Sequence, residues 1–502
     1  KKLLSIIMKK KILFLNPNKW GRGITTIWIA SHSGVLKRNN CIVELFDSTF
    51  YKNWSDFEID INTKNLQFKK STYRDKIKFN DNDIYKDLQK KIDDFQPDII
   101  FWSALSSHIH GEGEYINIDY GYELISHTKT DAILICGGLK ATNNPQKILN
   151  LYPNIDYVIS GESEKVLLEI SKLYPDRKKI EMVNGLSFKK KGKFHKNKPQ
   201  KIISDLDEIS PYDYTIFDKE IFKRPYNGKV LNAVDFEISR GCIYSCSYCV
   251  ETIIQKYYGF DDINQKTGSI KNFHLYGRNK SSKIIFEEIK MLNKEKKITL
   301  FRLQDTNFLT INRKILIELS NLIHESKMNI KLYIETRAEG INEKSIQLLK
   351  KLKVDGVGMG LELSDEKYRN NHLNRFVDQS KITNAFKILK DAKIKRTAYN
   401  IIGLPNQTEE SIINTIEFNH QIKPDTSIAA FYSIYRGTKL EEKADKEFIE
   451  EDPYGMDPQI RSKSLKHKIP INILQFYKDN FTYFVKNGLS DLANKKKLFL
   501  SN

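Results

Sequence analysis

The chain has 502 residues, with 82 Lys or Arg against 63 Asp or Glu, and a formal net charge of +19. This length is sufficient for two or more domains, each with its own hydrophobic core. The basic residues are dispersed along the chain, so the charge by itself does not favour a nucleic-acid-binding protein. There is no run of 18 apolar residues, so no transmembrane segment is expected. The opening residues lack the cleavage site of a secretory signal.

The five cysteines do not suggest a disulfide framework, because three of them lie within eight residues. Cys41 and Cys136 lie in apolar, strand-like runs and are predicted to be buried core thiols. This use of cysteine fits a reducing, cytoplasmic location.

Residues 9–180 alternate short apolar strands with amphipathic helices, which predicts a parallel, doubly wound, Rossmann-like α/β domain. Ligands of such sheets bind beyond the carboxyl ends of the strands. The predicted strands cover residues 11–16, 42–46, 97–102, 132–136 and 155–159, and the predicted helices cover 24–37, 84–95, 120–127 and 165–173. The insert at 51–81 has no clear period, so it is either an excursion over the site or a surface loop.

Residues 181–232 are predicted to be a linker that contains a β-hairpin turning at Gly192. Residues 233–440 then give six strands alternating with helices, which predicts a partial (β/α)6 barrel of the TIM type, with its chemistry at the carboxyl ends of the strands. The strands cover 233–239, 298–303, 330–336, 354–361, 397–402 and 427–433, and the helices cover 282–294, 313–325, 343–352, 378–392 and 409–420. The tail at 441–502 is predicted to be helical.

The loop after the first barrel strand carries Cys242, Cys246 and Cys249 in a C-x3-C-x2-C pattern. Thiolates are soft ligands for iron–sulfur clusters and zinc. Three of them on one loop can hold three corners of a 4Fe–4S cubane and leave the fourth iron open. A zinc knuckle is the weaker alternative, because structural zinc takes four ligands and the next histidine, His274, is distant.

This motif, preceded by Ser239-Arg240-Gly241, resembles the signature of the radical S-adenosylmethionine (radical SAM) enzymes. The resemblance implies that the three cysteines hold a 4Fe–4S cluster whose open iron binds the amino and carboxylate groups of SAM. Reductive cleavage of SAM then gives a 5′-deoxyadenosyl radical, with electrons from an external donor such as flavodoxin or ferredoxin. Tyr248 matches the aromatic residue that packs near SAM.

Further residues at the strand ends match the SAM-binding positions of the same family. The resemblance implies contacts to the SAM amino group, to its carboxylate or ribose, and to adenine, although a barrel-mouth salt bridge is an equal alternative for each charged residue. In chain order the candidates are Asp305 and Asn307, Glu335 and Arg337, Glu362, and Leu404 in a Gly-Leu-Pro turn. Residues 435–440 resemble the element that closes the barrel.

The first domain resembles the cobalamin-binding domains that precede some radical SAM barrels. Small residues after two of its strands would allow close approach of the cofactor's nucleotide tail. The implied contacts are Ser103, Leu105 and Ser106, then Gly137 and Gly138, and Glu162, with Asn16 after the first strand. The family often has a cobalt-ligating His after that strand, and none is present here. His108 and His110 are possible ligands, but loop histidines of this kind are more often solvated.

The resemblance therefore implies a cobalamin-dependent radical SAM enzyme that methylates an unactivated carbon of a small molecule, peptide or lipid. One alternative is a cobalamin-containing radical SAM enzyme that performs cyclisation, ring rearrangement or oxidation. A second is a radical SAM enzyme whose first domain is only a scaffold. RNA methylthiotransferases fit poorly, because their extra cluster cysteines are absent. An iron–sulfur sensor or nucleic-acid-binding protein is suggested by the charge alone.

Overall fold

The computed structural model describes residues 9–103, 118–432, 435, 437–443 and 468–501. Of the candidate residues, Leu105, Ser106, His108 and His110 lie outside these ranges. The described part of the chain contains strands and α-helices that we number in chain order.

The strands are β1 Lys11–Asn16, β2 Ile42–Asp47, β3 Ile99–Ser103, β4 Ile133–Gly137, β5 Tyr157–Ile159, β6 Leu186–Lys190, β7 Lys193–Lys196, β8 Lys223–Tyr226, β9 Lys229–Phe236, β10 Ser239–Arg240, β11 Arg278–Asn279, β12 Leu300–Leu303, β13 Lys331–Glu335, β14 Val354–Glu362, β15 Lys395–Ile402 and β16 Thr426–Phe431. The helices are α1 Ile27–Arg38, α2 Glu58–Lys64, α3 Tyr73–Lys76, α4 Ile84–Phe95, α5 Ile118–Ser126, α6 Leu139–Asn143, α7 Pro145–Leu151, α8 Glu164–Leu173, α9 Arg177–Ile180, α10 Glu251–Tyr257, α11 Phe273–Tyr276, α12 Ser282–Glu295, α13 Arg313–Ser326, α14 Glu343–Lys351, α15 Glu366–Asn371, α16 Gln379–Asp391, α17 Glu409–Ile422, α18 Lys439–Lys443, α19 Ile471–Asn487 and α20 Leu492–Ser501.

The chain divides into two compact units. The described residues of the first unit fall within 9–56, 78–103 and 118–221, and those of the second within 57–77 and 222–501. Residues 57–77 thus lie between β2 and β3 in the sequence but belong to the second unit.

The first unit is built on a seven-stranded sheet with the order β2-β1-β3-β4-β5-β6-β7. The first five strands are parallel, as the alternation of strands and helices predicts. The β6–β7 hairpin is antiparallel and extends this sheet, so it is part of the first unit and not a free linker. Helix α1 begins three residues later than predicted, because the preceding loop is buried and is held by its own hydrogen bonds, including Asn18 Nδ2 to Arg22 O at 3.0 Å.

The second unit is built on a seven-stranded sheet with the order β16-β15-β14-β13-β12-β9-β8. Six strands are parallel and alternate with helices, which confirms the predicted partial barrel, and β8 adds an antiparallel edge. Strand β9 begins earlier than predicted, because its first half pairs with β8. The buried Ile285, Ile289 and Leu292 of α12 recur at helical spacing and form a stripe toward the core.

Helix α19 covers the last barrel strand. Its buried Leu474, Tyr477 and Phe481 belong to one core cluster with Ala429 and Phe431 of β16. Among the helices that the structure describes, none has the length and apolar character needed to cross a membrane.

The insert at 51–81, between β2 and β3, is not simply a surface loop. It contains the short helices α2 and α3, and α3 lies against β8. The sequence of the insert shows no helical or strand period, because it folds as short turns and not as one long amphipathic element.

Candidate active site

The three clustered cysteines lie on the loop between β10 and α10, at the carboxyl end of the first parallel barrel strand. Cys246 is buried, while Cys242 and Cys249 are partly exposed, and all three are free thiols. The loop is tied to distant parts of the unit, since Ser245 N donates to Gly268 O at 2.8 Å and Ser247 N donates to Leu373 O at 3.0 Å. These backbone hydrogen bonds hold the cysteine loop in place before any ligand binds.

A buried carboxylate and a buried amide of α10 hydrogen-bond to the backbone of the cysteine loop. Glu251 Oε1 accepts hydrogen bonds from Cys242 N at 3.0 Å and from the Tyr276 hydroxyl at 2.7 Å. Gln255 Nε2 donates to the carbonyls of Cys242 and Tyr244. Gly241 precedes the first cysteine with φ of +92°, and a Cβ there would lie 2.7 Å from the Tyr276 carbonyl oxygen, so this position requires glycine.

Burial raises the pKa of the Cys242 thiol to about 12 and also raises the pKa of Cys249. Metal binding removes thiol protons, so these groups would become thiolates only as iron enters the site. In the described part of the chain, no three Cys, His, Asp or Glu side chains converge to hold one metal ion. A cubane does not need such convergence, because each cysteine binds a different iron atom.

Arg337 lies beside the cysteine loop at the end of β13. Its Nη1 is 3.8 Å from Cys246 Sγ, and its guanidinium stacks over the Tyr244 ring at 3.7 Å. Its Nη2 donates to Glu339 Oε1 at 2.5 Å, while Nε is buried without a hydrogen-bond partner. An unpaired buried guanidinium N–H costs free energy, and a bound carboxylate would satisfy it.

Asp305 and Asn307 follow β12, at the adjacent strand end. Asp305 Oδ1 accepts from Ser239 N at 2.6 Å and from Ile238 N at 3.2 Å, whereas Oδ2 is buried without a hydrogen-bond partner. Burial raises the pKa of Asp305 to about 7. Asn307 Oδ1 accepts from Thr336 Oγ1 at 2.7 Å, so its oxygen orders the next strand end.

Glu362 closes β14 in an unusual conformation. Its φ is +62°, in the left-handed region that non-glycine residues rarely adopt, and the β14–β15 register shifts there. The Glu362 carboxylate accepts from the Tyr248 hydroxyl at 2.8 Å and pairs with Arg375 at 3.6 Å. These three buried or half-buried side chains connect the cysteine loop to the fourth strand.

Glu335 points into the barrel and accepts from the Tyr399 hydroxyl at 2.8 Å. The Tyr399 and Tyr333 hydroxyls are 2.7 Å apart. Burial raises the pKa of Tyr333 to about 12 and also raises the pKa of Tyr399, so both phenols stay neutral at physiological pH. Gly358 leaves room for the pair, because a Cβ there would lie 2.6 Å from Tyr399 Cε2 and 2.7 Å from the Tyr333 hydroxyl.

Leu404 is fully buried in an apolar cluster at the end of β15, together with Leu440 and the half-buried Tyr248. The turn is held by Gln407 Oε1, which accepts from Gly403 N at 2.7 Å. Leu440 N donates to Ser247 O at 2.7 Å, so the element at 435–440 meets the cysteine loop.

The candidate residues of the first unit lie along one edge of its sheet. Asn16, Ser103 and Gly137 end the neighbouring strands β1, β3 and β4, and all three are buried. Gly138 follows with φ of +101°. Glu162 Oε2 accepts from Ile203 N at 2.9 Å, which gives this residue a structural contact.

Asn16 is also engaged within the unit, where its Nδ2 donates to Asp47 Oδ2 at 3.0 Å. Small residues at adjacent strand ends provide the close approach that a nucleotide tail needs. The small side chains at these strand ends are therefore compatible with a nucleotide tail.

Several site residues have no signal in the sequence pattern. Arg375, Glu339 and Tyr399 reach the site from later loops and strands, and they are identified only by their contacts with Glu362, Arg337 and Glu335. A charged loop residue such as Glu339 or Arg375 is usually solvated, so sequence spacing gives no reason to single it out.

Comparison with known proteins agrees with this geometry. Residues 236–418 match the Radical SAM superfamily. An uncharacterized methyltransferase of Pyrococcus horikoshii is 24% identical over 363 residues, covering 72% of this chain and 72% of the relative. An anaerobic magnesium-protoporphyrin IX monomethyl ester cyclase of Rubrivivax gelatinosus is 26% identical over 363 residues, covering 70% of this chain but 59% of the relative.

Two solved structures share the fold. The radical SAM methyltransferase TsrM of Kitasatospora setae, with tryptophan and a SAM analogue bound, has a TM-score of 0.63 and 15% identity, covering 86% of this chain and 75% of TsrM. The cobalamin-dependent SAM radical enzyme OxsB, with aqua-cobalamin and SAM bound, has a TM-score of 0.55 and 16% identity, covering 87% of this chain and 55% of OxsB.

Residues 236–418 therefore form a domain of the Radical SAM superfamily of enzymes, and the chain shares its fold with TsrM and OxsB. A domain of this kind implies a 4Fe–4S cluster and SAM as cofactors, and an electron donor for the cluster.

Proposed function

We propose that the protein is a cobalamin-dependent radical SAM methyltransferase that transfers a methyl group to an unactivated carbon. The observation that carries the proposal is the joint presence of a cysteine loop at the barrel mouth and a sheet edge of small residues in a chain with the fold of TsrM and OxsB. When bound, the cluster and SAM supply a 5′-deoxyadenosyl radical, and cobalamin supplies a carrier for the methyl group.

The chain's own residues would bind and orient these groups. Cys242, Cys246 and Cys249 would hold three irons. The unpaired Arg337 Nε and Asp305 Oδ2 suit the carboxylate and the ammonium of a bound amino acid group, respectively. The Tyr248 hydroxyl, held by Glu362, would fix the aromatic ring beside the third cysteine.

The apolar cluster around Leu404 would exclude water from one side of the mouth. Exclusion of water and oxygen protects radical intermediates from side reactions. At the first unit, Ser103, Gly137 and Gly138 would accommodate the nucleotide tail of cobalamin. The substrate class is open among small molecules, peptides and lipids.

A cobalamin-dependent cyclase is the second candidate, favoured by the 26% identity with the magnesium-protoporphyrin cyclase. The aligned region covers 59% of that relative's length. The two candidates differ in their SAM products. A methyltransferase forms S-adenosylhomocysteine together with 5′-deoxyadenosine, whereas a cyclase forms 5′-deoxyadenosine alone.

The decisive experiment is anaerobic reconstitution with iron, sulfide and hydroxocobalamin, followed by desalting and cofactor analysis. The proposal expects about four irons and one cobalamin per chain. Incubation with SAM and reductant should then give both products. Iron without cobalamin would exclude the proposal and leave the first unit as a scaffold.

A further inference from the structure

The segment at residues 57–77, which we call the strap, bridges the two free edges of the barrel sheet. At one end Gln67 Nε2 donates to Ala429 O in the edge strand β16 at 3.3 Å. At the other end helix α3 lies against the edge strand β8, and Lys223 Nζ donates to Lys76 O at 2.8 Å. Since the sheet order begins at β16 and ends at β8, the strap crosses the open side of the partial barrel.

Both ends of the strap are buried and bonded to the barrel unit. The β8 end is anchored by Tyr73, which is fully buried, and by the buried Ile77. At the β16 end, Gln67 donates the hydrogen bond to Ala429 O, and Ile59 and Asn62 are buried as well.

Closure leaves three amide groups of the strap unsatisfied. Asn62 Oδ1, Asn65 Nδ2 and Gln67 Oε1 are buried without hydrogen-bond partners, on residues that are 1%, 6% and 2% exposed. Buried polar groups are normally paired, so three such atoms within six residues form an unusual cluster.

Rotation of the amides cannot relieve this cluster. Asn62 Nδ2 donates to Glu58 Oε1, and Asn65 Oδ1 accepts from Gln67 N. Gln67 Nε2 is engaged with Ala429 O, so each amide is oriented by its other atom. Opening would instead expose the three atoms to water or to a polar ligand.

The strap also contains two left-handed residues and a lysine near Lys486. Phe57 and Leu66 have φ of +51° and +63°, a left-handed conformation that is costly for large side chains. Lys486 of α19 has its pKa lowered by burial and, secondarily, by the nearby positive charge of Lys69.

We propose that the strap is a gate on the open side of the barrel, which swings away from β16 to admit the substrate to the barrel interior. Ile428 alternates along β16 with Ala429 and Phe431, which pack under α19, so Ile428 faces the interior behind the gate. The three amides then become the first polar groups that an entering substrate meets. The proposal goes beyond the reaction type, and its tests measure access and not turnover.

Hydrogen exchange of the full chain, reconstituted with its cofactors and without substrate, tests whether the strap opens. The amides of Asn65 and Phe68 are bonded within the strap, to Ile61 O and Asn62 O. We expect them to exchange at least ~10-fold faster than the amides of β15 and β16, as a locally opening segment does. Equal protection of the strap and these strands would overturn the proposal.

A thiol-labelling experiment tests whether opening controls access. Ile428→Cys places a thiol behind the strap, and its modification by a maleimide is followed by peptide mass spectrometry, which separates it from the native cysteines. Adding Gln67→Ala, which removes the bond to Ala429 O, should raise the labelling rate several-fold. Gln421→Ala, the same change at an exposed position of α17, should leave that rate unchanged. An unchanged rate with Gln67→Ala would exclude a gate.

Discussion

The Tyr248 hydroxyl donates a hydrogen bond of 2.8 Å to the Glu362 carboxylate, which joins the residue before the third cysteine to the end of β14. Glu362 is held in a left-handed conformation, and its carboxylate also pairs with Arg375. Strain of this kind persists only where surrounding contacts over-determine it. The cysteine loop and the fourth parallel strand therefore act as one rigid side of the barrel mouth.

The first prediction concerns this bond. Tyr248→Phe keeps the ring but leaves Glu362 without its hydroxyl donor, at a cost of about 1–3 kcal/mol if the carboxylate stays buried. We expect 5′-deoxyadenosine formation to fall about 10-fold while the iron content is unchanged. Tyr258→Phe, the same change just after α10, is the control and should have little effect. Normal SAM cleavage by Tyr248→Phe would contradict a positioning role for the hydroxyl.

The order of elements in the barrel could be predicted from the sequence, but the contacts that tie the site together could not. The helices from α12 to α17 were predicted to within two residues at each end, with the exception of the short α15, because their apolar residues recur at helical spacing. Arg375 and Tyr399 were missed, because their partners are 13 and 64 residues away, at Glu362 and Glu335, and no local pattern encodes such pairs.

The strap shows the same limit at the level of a whole segment. Its residues are polar and aperiodic. They belong to a unit whose first strand, β8, begins more than 140 residues after the end of the strap. Burial of Gln67 and Asn62 depends on that distant sheet edge, so it could not be read from neighbouring residues.

The second prediction concerns the cluster ligands. Cys246→Ala removes the buried cysteine that lies 3.8 Å from Arg337, and a cubane with two protein ligands is not stably held. We expect iron content and 5′-deoxyadenosine formation both to be lost. Cys41→Ala, a change of the same kind in the first unit, should retain both. SAM cleavage that survives Cys246→Ala would exclude the cluster assignment.

The third prediction is a pH dependence that originates at Asp305. Burial raises its pKa from an ordinary value of 3.8 to about 7. Between these values the folded protein binds more protons than the unfolded chain, so the free energy of unfolding falls as the pH rises through this window. Asp305→Asn removes that titration. Calorimetry without SAM should therefore show a smaller loss of Tm for Asp305→Asn than for the parent between about pH 4 and about pH 7.

The exposed Asp262 provides the control for this pH effect. Asp262→Asn makes the same change in an exposed side chain that lies 3.0 Å from Lys271, so it controls for the loss of one surface carboxylate. Parallel pH curves for Asp305→Asn and the parent would contradict the raised pKa of Asp305.

The fourth prediction concerns the first unit. Ser103 is buried at the end of β3, opposite Gly137 in the β3–β4 register. Ser103→Leu would fill the space at this sheet edge, and we expect the reconstituted protein to lose cobalamin while it keeps its iron. Ser126→Leu, at an exposed position of α5, should keep both cofactors. Full cobalamin content in Ser103→Leu would contradict the proposed placement of the cofactor.

The fifth prediction concerns the room that Gly358 leaves inside the barrel. A Cβ at this position would lie 2.6 Å from Tyr399 Cε2 and 2.7 Å from the Tyr333 hydroxyl, so Gly358→Ala forces the tyrosine pair apart. Overpacking of this kind costs about 1–3 kcal/mol in the free energy of unfolding. Tyr399→Ala is also destabilising, because it leaves a cavity and removes the hydrogen bond to Glu335.

The double variant distinguishes steric conflict from a general weakness of β14. If the methyl group added by Gly358→Ala is harmful because it meets Tyr399, then this change and Tyr399→Ala together should destabilise less than the sum of the two alone, by about 0.5–3 kcal/mol. Urea unfolding of the parent, the two single variants and the double variant measures this coupling. Strictly additive losses would mean that Gly358 is needed for the backbone of β14 and not for the tyrosine pair that supports Glu335.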